Sequence, residues 1–329
     1  MKAVRIERFG GADELKLGEV ARPEPGPGEA RVRLELAGVN FIDVYMRDGS
    51  YSRSRTYVTP LPMVIGMEGF GTVDALGAGV EDRKPGERVA YCLARGSYAE
   101  YAVVPVWKLV PVSTDVPAPI ATALMLQGST AHYLTHSAFR LEAGMTCLIH
   151  AGAGGVGQLL VQLAKCLGGR VITTVGSPAK AELAQARGAD HCILYREADF
   201  QKEVMRLTGN KGVNVVYDSV GRDTLAKSLR SLARRGTCVN FGASSGQPDP
   251  VPVLDLAEAG SVFLTRPHLA DYMASAEEIR ARASDLFAAW RSGALVVTID
   301  REFPLSAAPE AHRVLESRGT KGKLLLRAA

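Results

Sequence analysis

The loop Gly152-Ala153-Gly154-Gly155-Val156-Gly157 constrains this chain more than any other stretch, because of what flanks it. Before it, Thr146-Cys147-Leu148-Ile149-His150 reads as a buried strand; after it, Gln158 to Leu167 carries apolar residues at helical spacing. Gly152, Gly154 and Gly157 therefore fall as G-x-G-x-x-G at a strand-to-helix turn. The first glycine permits the tight turn, the second lets the backbone approach a pyrophosphate, and the third lets helix pack on strand. The N–H groups that open the helix, those of Gly155, Val156 and Gly157, are the ones offered to the anion. Such a turn points to an α/β protein that binds a dinucleotide; the alternative is a glycine-rich turn of no chemical consequence.

Which dinucleotide is written at the end of the next strand, Arg170 to Val175, where an acidic residue would bind a ribose 2′-hydroxyl. The chain has Gly176-Ser177-Pro178-Ala179-Lys180 there, and the first carboxylate, Glu182, is already inside the following helix. A hydroxyl at Ser177 and an ammonium at Lys180 suit a 2′-phosphate, so the site is read as preferring NADPH. The structural alternative makes Ser177 only the N-cap of a helix opened by Pro178, with Lys180 a solvated surface residue.

The length, 329 residues, suits two domains. A net charge of +4 without a long basic tract, and only 6% aromatic residues, give no ground for a nucleic-acid partner. Five cysteines in unrelated contexts read as reduced core thiols of a cytoplasmic protein. The N-terminus begins at once with strand-like alternation, and no apolar stretch approaches a bilayer's thickness, so a membrane role is not expected.

Up to about residue 120 short strands are broken by Gly and Pro: Ala30 to Gly38, Gly69 to Leu76, Glu87 to Cys92 and Tyr98 to Val104, an all-β, barrel-like pattern. From about Ile120 helices and strands alternate, with strand candidates at Thr146, Val171, His191, Val213 and Cys238, the rhythm of a doubly wound parallel sheet. After the apolar strand Ser261 to Thr265 come a helix from Ser275 to Arg291, a strand at Leu295 to Ile299, a short helix near Ala308 to Ser317 and a final strand Lys323 to Arg327. This tail is too small to stand alone and is expected to complete the N-terminal unit.

These features together resemble the medium-chain dehydrogenase/reductase superfamily, and more closely its zinc-free quinone oxidoreductase branch, the relatives of zeta-crystallin. The resemblance runs along the chain in Gly38-Val39-Asn40-Phe41-Ile42-Asp43-Val44-Tyr45, Gly66-Met67-Glu68-Gly69, Gly96-Ser97-Tyr98-Ala99-Glu100-Tyr101, Gln127-Gly128-Ser129-Thr130-Ala131-His132, the glycine loop, Tyr217-Asp218-Ser219-Val220-Gly221, Phe241-Gly242-Ala243-Ser244-Ser245-Gly246, Thr265-Arg266-Pro267, and Ala311-His312 with Glu316-Ser317-Arg318. It implies a GroES-like β-barrel catalytic domain of residues 1–122 and 266–329, and a Rossmann domain of residues 123–265. It places Asn40, Asp43 and Tyr45 beside the nicotinamide or the acceptor, with Gln127 and Thr130 at the domain junction. It adds Tyr195 and Arg318 to Ser177 and Lys180 as contacts of the 2′-phosphate or adenosine, and puts Phe241 and Ser244 near the nicotinamide. It also implies a homodimer, formed by pairing the edge strands Ser261 to Thr265. Asn40 and Asp43 have an alternative role, capping the turn after Val39.

Zinc enzymes of the superfamily place a cysteine in the Gly-Val-Asn region and a histidine where this chain has Met67. Gly38 and Val39 offer no ligand and Met67 is a poor one for Zn²⁺, so no metal is expected. Hydride transfer without a Lewis acid needs an acceptor already electrophilic, a quinone or conjugated enone, with NADPH as the cofactor. An alkenal, enone or enoyl-thioester reductase is the near alternative, with Tyr45 or Tyr51 as the proton donor to the α-carbon. An RNA-binding or structural role for an NADPH-binding protein is the alternative of another class. The stretch Ser52-Arg53-Ser54-Arg55-Thr56-Tyr57-Val58-Thr59 is longer and more basic than in relatives, and it bears on substrate choice.

Overall fold

The computed structural model describes residues 1–328. The chain forms two compact units, one of Met1–Gln127, Met273–Ala288 and Val297–Ala329, the other of Gly128–Tyr272 and Ala289–Val296.

In the first unit β1 (Lys2–Ile6) pairs antiparallel with β2 (Lys16–Glu19) and β4 (Met63–Val64). The main strand is β3 (Glu29–Val39), against which β5 (Glu68–Leu76) and β7 (Tyr101–Pro105) run antiparallel, and β6 (Arg88–Cys92) and β8 (Val110–Pro111) extend the sheet beyond β5. The register of β3 on β5 shifts twice, near Arg31 and near Leu34, and such bulges bend a strand and let a sheet curl on itself. The apolar faces of Val32, Leu34, Val73, Val89, Tyr91 and Val104 meet inside it. Helix α1 (Phe41–Arg47) leaves β3 at once, and α2 (Ala118–Ala123) follows the last strand. Helix α1 is an element that the all-β pattern did not include.

The first unit passes into the second within the π-helical turn Leu124–Gly128, which leads into α3 (Ser129–Tyr133). The strands β9 (Thr146–His150), β10 (Arg170–Val175), β11 (His191–Leu194), β12 (Val213–Asp218), β13 (Leu232–Asn240) and β14 (Phe263–Thr265) make one wholly parallel sheet in the order β11-β10-β9-β12-β13-β14. The order reverses beside β9, so the crevice at the carboxyl ends of β9 and β12 is the topological switch point where open α/β sheets take ligands. Helices α4 (Gly155–Cys166), α5 (Pro178–Ala186), α6 (Phe200–Leu207), α7 (Leu225–Arg230) and α8 (Val253–Glu258) connect the strands. Leu148, Ile172, Val216 and Cys238 on the sheet pack on Phe200, Val204, Leu225 and Leu229 of the helices.

The chain then passes through α9 (Ala276–Arg291), β15 (Ile299–Pro304), α10 (Ala308–Glu316) and β16 (Lys323–Arg327), with β16 pairing antiparallel to β3. The strand expected from Leu295 begins only at Ile299. Val296 donates its N–H to Gln162 Oε1 (2.7 Å) and accepts at its carbonyl from Gln162 Nε2 (3.0 Å), so its backbone groups are spent on a side chain of α4. No helix among the described residues is long and apolar enough to cross a membrane.

Candidate active site

The β9–α4 turn packs so closely on its own strand and loop that two of its glycines have no room for a side chain. An ideal Cβ on Gly152 would stand 2.0 Å from Thr173 Oγ1, and one on Gly157 would stand 2.1 Å from the Ala151 carbonyl oxygen. Gly154 is the N-cap of α4 and bonds its carbonyl to Gln158 N (2.9 Å), leaving the N–H groups of Gly155, Val156 and Gly157 at the helix opening. The turn is held from behind. His150, 1% exposed, reaches Thr174 Oγ1 (2.9 Å) and Ser228 Oγ (3.0 Å), Ser228 donates to Asp218 Oδ2 (2.8 Å), and Asp218 Oδ1 accepts the N–H groups of Val220 and Gly221. Burial lowers the His150 pKa, which keeps the ring neutral inside this network.

At the end of β10 the N-cap Ser177 opens α5, with Pro178 at its first position and without a side-chain capping bond. Tyr195, 39% exposed, bonds its N–H to Val175 (3.2 Å), and a Cβ on Gly176 would meet its hydroxyl at 3.0 Å, so Tyr195 stands beside the Gly176–Ser177 turn. Lys180 lies on the first turn of the same helix. Phe241 and Ser244 lie on the loop after β13, anchored by Phe241 N to Asp218 O (2.8 Å) and Ser244 N to Ser219 O (3.2 Å). Arg266 clamps that loop, donating to the carbonyls of Asn240 (3.1 Å) and Gly242 (2.7 Å) and to Asn240 Oδ1 (3.0 Å). Thr130, 8% exposed, is on α3. Arg318 belongs to the first unit, exposed just past α10 at a φ of 59°.

In the first unit Asn40 caps α1 in a capping box: its N–H donates to Asp43 Oδ2 (2.9 Å) while its own side chain receives the N–H of Asp43. The Asn40 amide has two further partners. Nδ2 donates to Glu68 Oε2 (2.9 Å), and Oδ1 accepts from Lys323 Nζ (2.7 Å), which also pairs with Glu68 Oε2. Glu68 Oε1 accepts Leu126 N (2.6 Å), in the π-helical turn that carries Gln127. Such bulges recur at functional positions because they re-aim side chains.

From Asp43 a second buried chain runs outward. Tyr98 donates its hydroxyl to Asp43 Oδ2 (3.2 Å) and faces His312 Nε2 (3.1 Å), and Arg47 Nη1 faces His312 Nδ1 (3.0 Å) while pairing with Glu316 (2.6 Å). A guanidinium can only donate, so Nδ1 is the acceptor, Nε2 carries the proton toward Tyr98, and the chain is ordered from Arg47 to Asp43. Burial raises the Asp43 carboxyl to about 7, against the pull of the Asn40 N–H and the Lys323 charge, and among the described residues Oδ1 has no partner. Burial, with the Arg47 charge beside it, lowers His312 to about 3. Tyr45, 8% exposed, lies 5.3 Å from Tyr51 between ring centroids, and Tyr51 stacks on Tyr57 at the same distance.

Glu68, Lys323, Tyr98, His312 and Arg47, to which the sequence assigned no role, are bonded to Asn40 and Asp43 or to one another. Glu68, Tyr98 and His312 stand in motifs of the family resemblance, and Lys323 shows as a charge opening the apolar strand Leu324-Leu325-Leu326. Among the described residues no three His, Cys, Asp or Glu side chains gather as a metal-binding group.

Residues 26–114 match the Alcohol dehydrogenase GroES-like domain family and residues 155–289 the Zinc-binding dehydrogenase family. The chain is 42% identical over 328 residues to 2-haloacrylate reductase of a Burkholderia species, covering 98% of each. It is 40% identical over 326 residues to the quinone oxidoreductase of Pseudomonas aeruginosa, covering 99% of each. The crystal structure of Escherichia coli quinone oxidoreductase complexed with NADPH superposes with a TM-score of 0.95 at 37% identity, over 99% of this chain and 100% of that one.

Proposed function

This chain belongs to the quinone oxidoreductase branch of the medium-chain dehydrogenase/reductase superfamily, and on that premise we propose that it is an NADPH-dependent reductase of quinones and similar electrophilic acceptors. The observation that carries the reading is the β9–α4 turn, where Gly152 and Gly157 leave no room for a Cβ, followed at the end of β10 by Ser177 and Lys180 in place of an acid. NADPH, when bound, supplies a hydride to the acceptor.

The chain's own residues then divide the work. The N–H groups of Gly155, Val156 and Gly157 hold the pyrophosphate, and Gly152 and Gly154 give it access. Ser177, Lys180 and Tyr195 take the 2′-phosphate, with Arg318 toward the adenosine. Phe241 and Ser244, on the loop that Arg266 clamps, face the nicotinamide. Asn40 offers an amide N–H to the oxygen that gains charge, and Asp43 orients it through the capping box. Gln127 and Thr130 line the acceptor, and Tyr45 shields it from water.

A second reading is favoured by the 2-haloacrylate reductase likeness, reduction of a carbon–carbon double bond conjugated to a carboxyl or carbonyl group. There the Tyr45 or Tyr51 hydroxyl would hand its proton to the α-carbon. NADPH oxidation measured against quinones, enals, 2-haloacrylates and enoyl thioesters separates the two.

Two finer assignments belong to the same proposal. The protein works as a homodimer, supported by the edge strand β14, on which Phe263 is 62% exposed. It works in the cytoplasm, supported by five free cysteines.

A further inference from the structure

We propose that Lys323 is a positioning residue of the reaction, holding the Asn40 amide so that one of its N–H groups is kept for the acceptor oxygen. This rests on the role given to Asn40 above. Lys323 and Glu68 are both 0% exposed and Asn40 is 4% exposed, so none of the three can trade its partners for water. An ammonium only donates and a carboxylate only accepts. With Lys323 Nζ at Oδ1 (2.7 Å) and Glu68 Oε2 at Nδ2 (2.9 Å), the amide has a single orientation, because a flipped amide would face donor to donor and acceptor to acceptor.

Nδ2 carries two hydrogens, and among the described residues Glu68 is its one hydrogen-bond partner. The second hydrogen is the donor left over. Glu68 is itself held from the far side by Leu126 N (2.6 Å), so the carboxylate cannot swing to follow a loose amide. The space for this arrangement comes from Gly38, where an ideal Cβ would come within 1.8 Å of Glu68 Oε2 and 2.8 Å of Lys323 Nζ. A buried ion pair is weak support for stability, and an apolar pair of similar volume commonly serves as well or better. What an apolar pair could not do is fix the amide.

The test uses the full-length protein with 15N-asparagine, whose four asparagines, Asn40, Asn210, Asn214 and Asn240, give four side-chain amide pairs. Lys323→Met removes the donor to Oδ1. The double variant Lys323→Met with Glu68→Leu removes both charges and keeps a packed core should the single one fail to fold. In either variant NADPH affinity should stay within about twofold of wild type while kcat for a quinone falls about tenfold or more, with a smaller change in KM. The Asn40 amide pair should move and broaden while the pairs of Asn210 and Asn214 stay in place. A folded double variant with wild-type kcat, or with the Asn40 pair unmoved, overturns the proposal. A wild-type protein that binds NADPH and reduces no acceptor overturns the functional reading, and the Asn40 signal still decides the clamp on its own.

Discussion

Tyr98 meets His312 edge-on, 5.7 Å between ring centroids, with its hydroxyl 3.1 Å from Nε2 and both residues fully buried. The contact joins two groups displaced in opposite directions, Asp43 to about 7 and His312 to about 3. Asp43 ionises less readily folded than unfolded, so its contribution is complete below about pH 4 and is lost as pH rises toward 7. His312 protonates less readily folded than unfolded, so its contribution is present above about pH 6.5 and is lost as pH falls toward 3.

Over roughly pH 4 to 6.5 the two slopes oppose, each at most about 1.4 kcal/mol per pH unit. Urea denaturation across that window should therefore show a shallow dependence in the wild type. Asp43→Asn should lose stability on acidification and His312→Gln should gain it. Variants that respond with the same sign would refute the assignment of neutral Asp43 and neutral His312.

At the nucleotide turn, Gly157→Ala places a methyl group 2.1 Å from the Ala151 oxygen and 2.8 Å from the Gly152 Cα, both backbone atoms that cannot swing aside. Overpacking of this kind costs about 1–3 kcal/mol and moves the N–H groups that open α4. NADPH affinity by titration calorimetry should fall at least about tenfold. Unchanged affinity would mean that the phosphates lie elsewhere.

We propose that cofactor choice rests on Lys180 with Ser177 and Tyr195. Lys180→Ala removes a charge-assisted contact that only the 2′-phosphate can make, a loss of about 1.5–3 kcal/mol. The Kd for NADPH should rise about ten- to a hundredfold, with NADH nearly unchanged. Equal small changes for the two nucleotides would return Lys180 to the solvated surface.

The nucleotide half could be read from the sequence because its signals are local: a glycine loop between a strand and a helix, and a strand end without an acid, each within a few residues. The six parallel strands were legible for the same reason, through the alternation of periods. The acceptor half was not. Asn40 meets Glu68 and Lys323 across 28 and 283 residues of chain, and no pattern in the sequence links them. The capping box of Asn40 and Asp43 was legible as an alternative, since its spacing is local. The late start of β15 was hidden because it depends on one glutamine, Gln162, of a distant helix.

The edge strand β14 supplies a test of assembly. Phe263, 62% exposed, pairs in register with Thr237 and leaves the other side of the strand open. Phe263→Asp would bury a carboxylate in an apolar interface between two copies. Light scattering should give a dimer for the wild type at micromolar concentration and a monomer for the variant. A monomeric wild type would remove the dimer from the account.

We propose that this chain passes a hydride from NADPH to an electrophilic acceptor without a metal: Gly38 and Val39 offer no ligand, and Met67 stands where the resemblance puts a histidine in zinc relatives. The most direct test is the quinone-dependent loss of NADPH absorbance by protein dialysed exhaustively against a chelator. Full turnover is expected after dialysis, faster with NADPH than with NADH. Tight NADPH binding with no oxidation by any quinone, or activity that disappears on chelation and returns with stoichiometric zinc, would contradict it.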